Sequence, residues 1–143
     1  MPKIEKDVFI AAPVAKVFAF MAEPSNLLVV WPGLIEIKNV QPLPSGGYCF
    51  DWVYKMAGLP FKGQADWIEF KLNQRLVSRN QSGIPSTFTW NYQLEDGGTH
   101  LSLNVEYSIP DSLLHKLAEP VVRKINEHEV DAILANLKVC LEG

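Results

Sequence analysis

One acidic side chain lies within an apolar helical stripe near the carboxyl end of the chain. Glu129, with His128 beside it, falls in residues 121–141, whose apolar side chains recur at helical spacing. A carboxyl group that faces an apolar cavity is costly to ionise, so it would act as a general acid or orient a ligand hydroxyl. The alternative, which we favour, places Glu129 at the solvent edge of the helix, paired with a lysine or arginine.

Large side chains, nearly all aromatic, occupy alternate positions in two other stretches. Successive strand residues point to opposite faces, so each stretch presents its large side chains on one face of a sheet. Tyrosine and tryptophan combine an apolar body with one hydrogen-bonding tip, which suits either a packed core or a pocket for an apolar molecule. The residues are Tyr48, Phe50, Trp52, Tyr54 and Met56 in the first stretch and Phe88, Trp90 and Tyr92 in the second.

The remaining residues form no recognisable catalytic, metal or phosphate motif. His100, His115 and His128 share no spacing, and Ala132 stands where a zinc-binding helix would carry a second histidine after His128. The glycine pairs lack the helix and lysine that follow in a phosphate loop, and no Gly-x-Ser-x-Gly segment is present. We therefore expect no metal and no cofactor.

Composition limits the partners and the compartment. The 143 residues include 13 Lys plus Arg and 16 Asp plus Glu, a net charge of -3 with both signs interspersed, which does not indicate nucleic-acid binding. Cys49 and Cys140 are far apart and are expected to be reduced, buried thiols. Residues 1–7 show no secretory signal, and the longest uncharged run, residues 24–35, is too short to span a bilayer. We expect a soluble, cytoplasmic protein.

Turn formers and apolar periodicity predict the elements that position these side chains. A first strand over residues 4–10 is followed by a helix that begins after Pro13 and by a second short helix capped by Ser25. Between residues 34 and 109, alternating blocks separated by turn signals predict an antiparallel sheet. A short helical segment after Pro110 and a long helix, with an apolar stripe ending near Cys140, complete the chain.

Five segments, in this order of elements, resemble the START-like superfamily, also called SRPBCC or Bet v 1-like. Residues 10–20 (IAAPVAKVFAF) look like its entry segment, and residues 31–34 (WPGL) look like the segment after its second helix. Residues 54–58 (YKMAG), 83–87 (GIPST) and 106–110 (EYSIP) look like a bacterial branch near the polyketide cyclase/dehydrase-like and carbon monoxide dehydrogenase subunit-like proteins.

The resemblance implies an α+β helix-grip fold, in which a curved seven-stranded antiparallel sheet wraps around the long C-terminal helix, with two short helices between strands 1 and 2. We expect residues 1–143 to form a single START-like ligand-binding domain with a deep cavity between sheet and helix. The predicted ligand-binding residues are Trp31, Trp52, Tyr54, Met56, Phe61, Phe88, Trp90, Tyr92, Val105, Tyr107, Val122, Ile125, Glu129 and Ile133.

Three functions follow from the resemblance. The leading one is the binding or carriage of a small hydrophobic or aromatic molecule, such as a lipid, polyketide or quinone, by a monomer or homodimer. The second is a polyketide cyclase/dehydratase-like enzyme that uses a tyrosine, His128 or Glu129 for proton transfer. The third is a protein-interaction or assembly factor that makes a transient protein or membrane contact through Leu28, Val29, Val30 and Trp31. We expect most of that segment to be buried and Trp31 to touch the ligand.

Overall fold

Seven strands form one antiparallel sheet in the computed structural model, which describes residues 2–143 and leaves Met1 outside the described range. The strand order is β1-β7-β6-β5-β4-β3-β2, so β1 and β2 lie at the edges. Shifts of register within the β2–β3 and β4–β5 pairs are β-bulges, which bend the sheet. The strands are β1 Lys3–Ile10, β2 Leu34–Pro42, β3 Tyr48–Met56, β4 Leu59–Lys71, β5 Arg75–Asn80, β6 Ser86–Glu95 and β7 Gly98–Tyr107.

Short helices and one long C-terminal helix accompany the sheet. Together with the seven antiparallel strands, they confirm the predicted helix-grip fold. None of the helices within residues 2–143 is both long and apolar enough to cross a bilayer. The 24-residue α4 packs against β1 and α2 and covers one face of the sheet. The helices are α1 Val14–Met21, α2 Leu27–Val30, α3 Asp111–Leu114 and α4 Glu119–Glu142, with a 3₁₀ turn at Pro24–Asn26.

Two α4 residues with a predicted inward position are exposed instead. Ile125 is 36% exposed, so its predicted inward position is wrong. Cys140 is also exposed, so its predicted burial is wrong. The buried residues follow a spacing of three and four, and the step after Val122 is four residues, which brings Asn126 inward in place of Ile125. They are Val122, Asn126, Val130, Ile133, Leu134, Leu137 and Leu141.

The segment between α1 and β2 is half-buried, which only partly agrees with expectation. Glu23, rather than Ser25, caps the 3₁₀ turn by accepting a hydrogen bond from the Ser25 backbone N–H. Val30 is fully buried, but Leu28 and Val29 are 40% and 62% exposed. The expected burial of this segment is therefore wrong for Leu28 and Val29, because a four-residue helix turns only one side toward the core.

Candidate functional site

A cavity of about 130 Å³ lies between the sheet and α4. Its wall is mostly aromatic and aliphatic, because the alternating large residues of β3 and β6 face α4. The predicted ligand-binding residues that line it are Trp31, Trp52, Tyr54, Met56, Phe88, Trp90, Val105, Tyr107, Glu129 and Ile133.

Four other predicted binding residues lie outside the lining. Phe61 is half-buried beside its cross-strand partner Tyr54, and Val122 is buried in the core. Tyr92 lies farther along β6, where its ring packs edge-on against Phe18 of α1 at 5.0 Å. Ile125 is on the outward side of α4, as described above. His128, a candidate proton-transfer residue, is also exposed on α4.

Several lining residues were missed by the sequence analysis. Phe50 belongs to the alternating pattern of β3 described above but is not among the predicted ligand-binding residues. Trp67, from β4, packs edge-on against Phe50 at 6.2 Å. Asn80 and Asn126 are polar residues at buried positions, which hydrophobic periodicity passes over.

Glu129 is the only acidic side chain in the described lining and sits within a group of hydrogen-bond donors. The Trp31 indole N–H donates to Oε1 at 3.2 Å, and the Tyr54 hydroxyl donates to the same oxygen. The backbone N–H of Gly33 is close enough to the carboxylate to lower its pKa. A Cβ at position 33 would lie 2.9 Å from Oε2, so only glycine lets the chain approach this closely. We call Trp31, Gly33, Tyr54 and Glu129 the charged cluster.

Both titratable groups of the charged cluster have a raised pKa. Burial raises the pKa of Glu129 above its ordinary 4.5, and the donors from Tyr54, Trp31 and Gly33 oppose that rise. Burial, and then the neighbouring carboxylate, raise the pKa of the Tyr54 hydroxyl. No ion pair involves Glu129 within residues 2–143, so the favoured expectation of a lysine or arginine partner is wrong. The surrounding donors take the place of a counter-ion.

Trp31 joins three elements at the edge of the cavity. It follows α2, hydrogen-bonds to Glu129 of α4, and packs edge-on against Phe88 of β6 with ring centroids 5.0 Å apart. The indole therefore bridges from the helix to the sheet and covers part of the cavity. A change in the cavity's contents should alter the environment of this indole.

A second polar group lies in the cavity wall and carries no charge. The Trp52 indole N–H donates to Oδ1 of Asn80 at 2.9 Å, and the Asn80 amide donates to Oγ of Ser86 at 3.0 Å. The Ser86 hydroxyl then donates to the carbonyl of Ile84 at 2.9 Å. Gly83 has a φ of +75° and a Cβ there would lie 2.8 Å from the Trp52 ring, so the indole fills a slot that glycine leaves open. We call Trp52, Asn80, Ser86 and Ile84 the neutral cluster.

Asn126 and Tyr107 form a third polar point on the lining. Burial raises the pKa of the Tyr107 hydroxyl, and the neighbouring Asn126 amide opposes the rise. The Asn126 side chain is only 8% exposed, yet its amide nitrogen makes no hydrogen bond of normal geometry within residues 2–143. Buried amide groups normally have a partner, so this one is an exception.

The lining of the cavity has no lysine, arginine or histidine among the described residues. Arg75 and Arg79 of β5 lie outside the lining, where Arg75 pairs with Glu69 at 3.1 Å and Arg79 is exposed. No group of three or more His, Cys, Asp or Glu residues within the described chain is arranged to hold a metal ion. The cavity's chemistry is therefore that of apolar surface with a carboxyl group, hydroxyls and amides.

Solved structures share this fold at low sequence identity. A START superfamily protein from Mycobacterium smegmatis is 14% identical with a TM-score of 0.79, and the match covers 98% of this chain and 97% of that one. The Zhui aromatase/cyclase from a Streptomyces species is 16% identical with a TM-score of 0.75, covering 99% and 93%. A Thermus thermophilus protein is 21% identical with a TM-score of 0.76, covering 98% and 97%.

The sequence itself places the chain in a family. No curated protein matches it. Residues 1–142 match the family described as polyketide cyclase/dehydrase and lipid transport. Because this match spans nearly the whole chain, the protein belongs to the family described as polyketide cyclase/dehydrase and lipid transport.

Proposed function

We propose that the protein binds and carries a small, uncharged, ring-containing molecule in the cavity, with residues 1–143 acting as one ligand-binding domain. The observation that carries this proposal is the cavity itself, whose lining is dominated by aromatic and aliphatic side chains and has no cationic group among the described residues. Apolar burial would supply most of the binding free energy, about 25 cal/mol per Å². A few polar tips would set the orientation.

The size of the cavity favours a ligand of about one ring. An engineered protein cavity of about 150 Å³ takes up benzene, whereas sites for drug-sized ligands have volumes of about 300–1,000 Å³. At about 130 Å³, this cavity suits the smaller class. A lipid or polyketide would need side chains to move, and Trp31 is placed to do so because it is only half-buried at the cavity's edge.

A variant that fills the cavity tests this proposal. Val105 lines the cavity and is 3% exposed, so Val105→Phe should occupy the space that a ring would take. Val139→Phe is the matched control, because Val139 is 73% exposed on α4. Para-xylene binding should be measured by calorimetry and by tryptophan fluorescence. We expect binding by the wild type and the control and at least tenfold weaker binding by a folded Val105→Phe. Equal binding by all three would contradict the proposal.

A second candidate function, a cyclase/dehydratase-like enzyme, is favoured by the hydrogen bond between Tyr54 and Glu129. A buried carboxyl group with a raised pKa, beside a phenol in an apolar cavity, is suited to proton transfer. Glu129→Gln should then abolish turnover of a polyketide-type substrate and preserve binding. Glu127→Gln is the control, because Glu127 lies on the exposed side of α4. Undiminished turnover in Glu129→Gln would rule out this role of the carboxyl group.

A further inference from the structure

The unpaired amide of Asn126 is a feature that the fold does not explain. Its nitrogen is buried in the cavity lining without a hydrogen-bond partner in the described chain. A buried amide without a partner destabilises the folded state, and an apolar residue would avoid that cost at this position of α4. Its neighbours in the buried stripe, Val122 and Val130, are apolar. Asn126 thus contributes to the cavity lining a donor that lies near the Tyr107 hydroxyl without reaching hydrogen-bond geometry.

Glu129 supplies an acceptor beside this donor. Asn126 and Glu129 are three residues apart on α4, and side chains at that spacing are neighbours on one helix face, with Cβ atoms about 5–6 Å apart. A carboxylate offers about four acceptor positions. Trp31 and Tyr54 both donate to Oε1, so acceptor positions on Oε2 remain for a ligand.

We propose that the ligand carries a hydroxyl group on its ring, which accepts a hydrogen bond from the Asn126 amide and donates one to the Glu129 carboxyl group. A hydroxyl is a single group that both donates and accepts. This inference rests on the proposed binding function and narrows it to ring alcohols and phenols, with the ring lying against the aromatic wall formed by Trp52, Phe88 and Trp90.

Other polar groups fit this donor and acceptor pair less well. An ammonium group has no acceptor for the Asn126 amide, and a carboxylate would be repelled by Glu129 without a cation in the described lining to offset the repulsion. A wholly apolar ring would leave the amide unpaired. A hydroxyl is also small enough to fit beside one ring in a cavity of about 130 Å³.

A pair of probes that differ in one group tests the inference. Para-cresol and para-xylene have the same shape, but a hydroxyl in the first replaces a methyl in the second. Each should be titrated into the wild type, Asn126→Leu and the control Asn104→Leu, which alters an exposed residue of β7. We expect Asn126→Leu to weaken para-cresol binding about tenfold, the loss of roughly one hydrogen bond, and to change para-xylene binding less than about twofold. The control should change neither.

The outcomes distinguish a failure of this inference from a failure of the proposed binding function. If the wild type binds neither probe, the proposed binding function fails and this inference fails with it. If the probes bind but Asn126→Leu changes both affinities by the same factor, only the hydroxyl inference is overturned. Thermal melting gives an independent test, because Leu in place of an unpaired buried amide should raise the melting temperature. A lower melting temperature would show that Asn126 has a structural partner, for which the neighbouring Tyr107 hydroxyl is the candidate. That result would also overturn the inference.

Discussion

The charged cluster and the neutral cluster both use a tryptophan indole in the wall of one cavity, but they differ in how completely their polar groups are satisfied. In the neutral cluster, the hydrogen bonds run from Trp52 through Asn80 and Ser86 and end at a backbone carbonyl. In the charged cluster, the donors converge on Glu129, a half-buried carboxyl group without a cationic partner in the described chain.

This difference assigns different roles to the two clusters. The polar groups of the neutral network bond to one another and to a backbone carbonyl, so the network stabilises the wall. A carboxyl group with a raised pKa and a remaining acceptor position costs stability and can interact with a ligand. The unpaired amide of Asn126 lies one helical turn from Glu129, so the unsatisfied polar groups share one part of α4.

Breaking the neutral cluster should have the largest effect on stability. Asn80→Ala removes the acceptor of the Trp52 indole N–H, which is then buried without a partner, and leaves a small void. We expect a loss of about 3 kcal/mol in the free energy of unfolding, measured by urea denaturation. Asn104→Ala, on the exposed face of β7, should cost less than about 0.5 kcal/mol. A loss in Asn80→Ala as small as the control's would show that the network does not support the wall.

Removing a donor from the charged cluster should have a smaller effect that depends on pH. Tyr54→Phe takes one donor from Glu129, and a hydrogen bond to a charged group is worth about 1.5–3 kcal/mol. We expect a loss near the lower end, about 1.5 kcal/mol, once Glu129 is ionised, and a smaller loss in acid, where the carboxyl group is neutral. Tyr48→Phe on the same strand is the control, because Tyr48 packs its ring on Trp67. A loss that is the same at every pH would contradict the role assigned to Tyr54.

Neutralising Glu129 should mainly change how the free energy of unfolding depends on pH. Burial raises the pKa of Glu129 in the folded state, so above pH 4.5 the folded protein binds more protons than the unfolded chain. The wild type should therefore lose stability as the pH rises from 4.5 through the raised pKa, and Glu129→Gln should remove this loss. The exposed Glu127→Gln should retain the wild-type slope. Identical slopes for wild type and Glu129→Gln would exclude a raised pKa.

The fold could be predicted because local sequence patterns, such as turn residues and alternating side chains, determine most of its elements. Asp96 and Gly97, residue types that tolerate positive φ, form the hairpin turn between β6 and β7 with φ angles of +47° and +77°. The alternating residues of β6 were placed on one face, and Phe88 and Trp90 line the cavity. The end of that face could not be predicted, because whether Tyr92 meets the cavity or α1 depends on the packing of Phe18.

The polar part of the site was less predictable for a physical reason. Hydrophobic periodicity assigns buried positions to apolar residues, so it selected Ile125 and passed over the buried Asn126. Adjacent helix residues differ by about 100° around the helix axis, so a rotation of α4 by that angle decides whether Ile125 or Asn126 faces the cavity. Glu129 was identified as a candidate, but its partners Trp31 and Gly33 come from a turn almost a hundred residues earlier in the chain, a contact that local sequence does not encode.

A crystal structure with para-bromophenol would test most directly whether this cavity binds a ring hydroxyl. The bromine gives an anomalous signal that locates the ring and its direction. We predict a bromine peak inside the cavity beside Trp52 and Trp90, with the phenol oxygen within hydrogen-bonding distance of Asn126 and Glu129. A peak outside the cavity, or a ring turned so that the bromine lies against Asn126, would contradict the account.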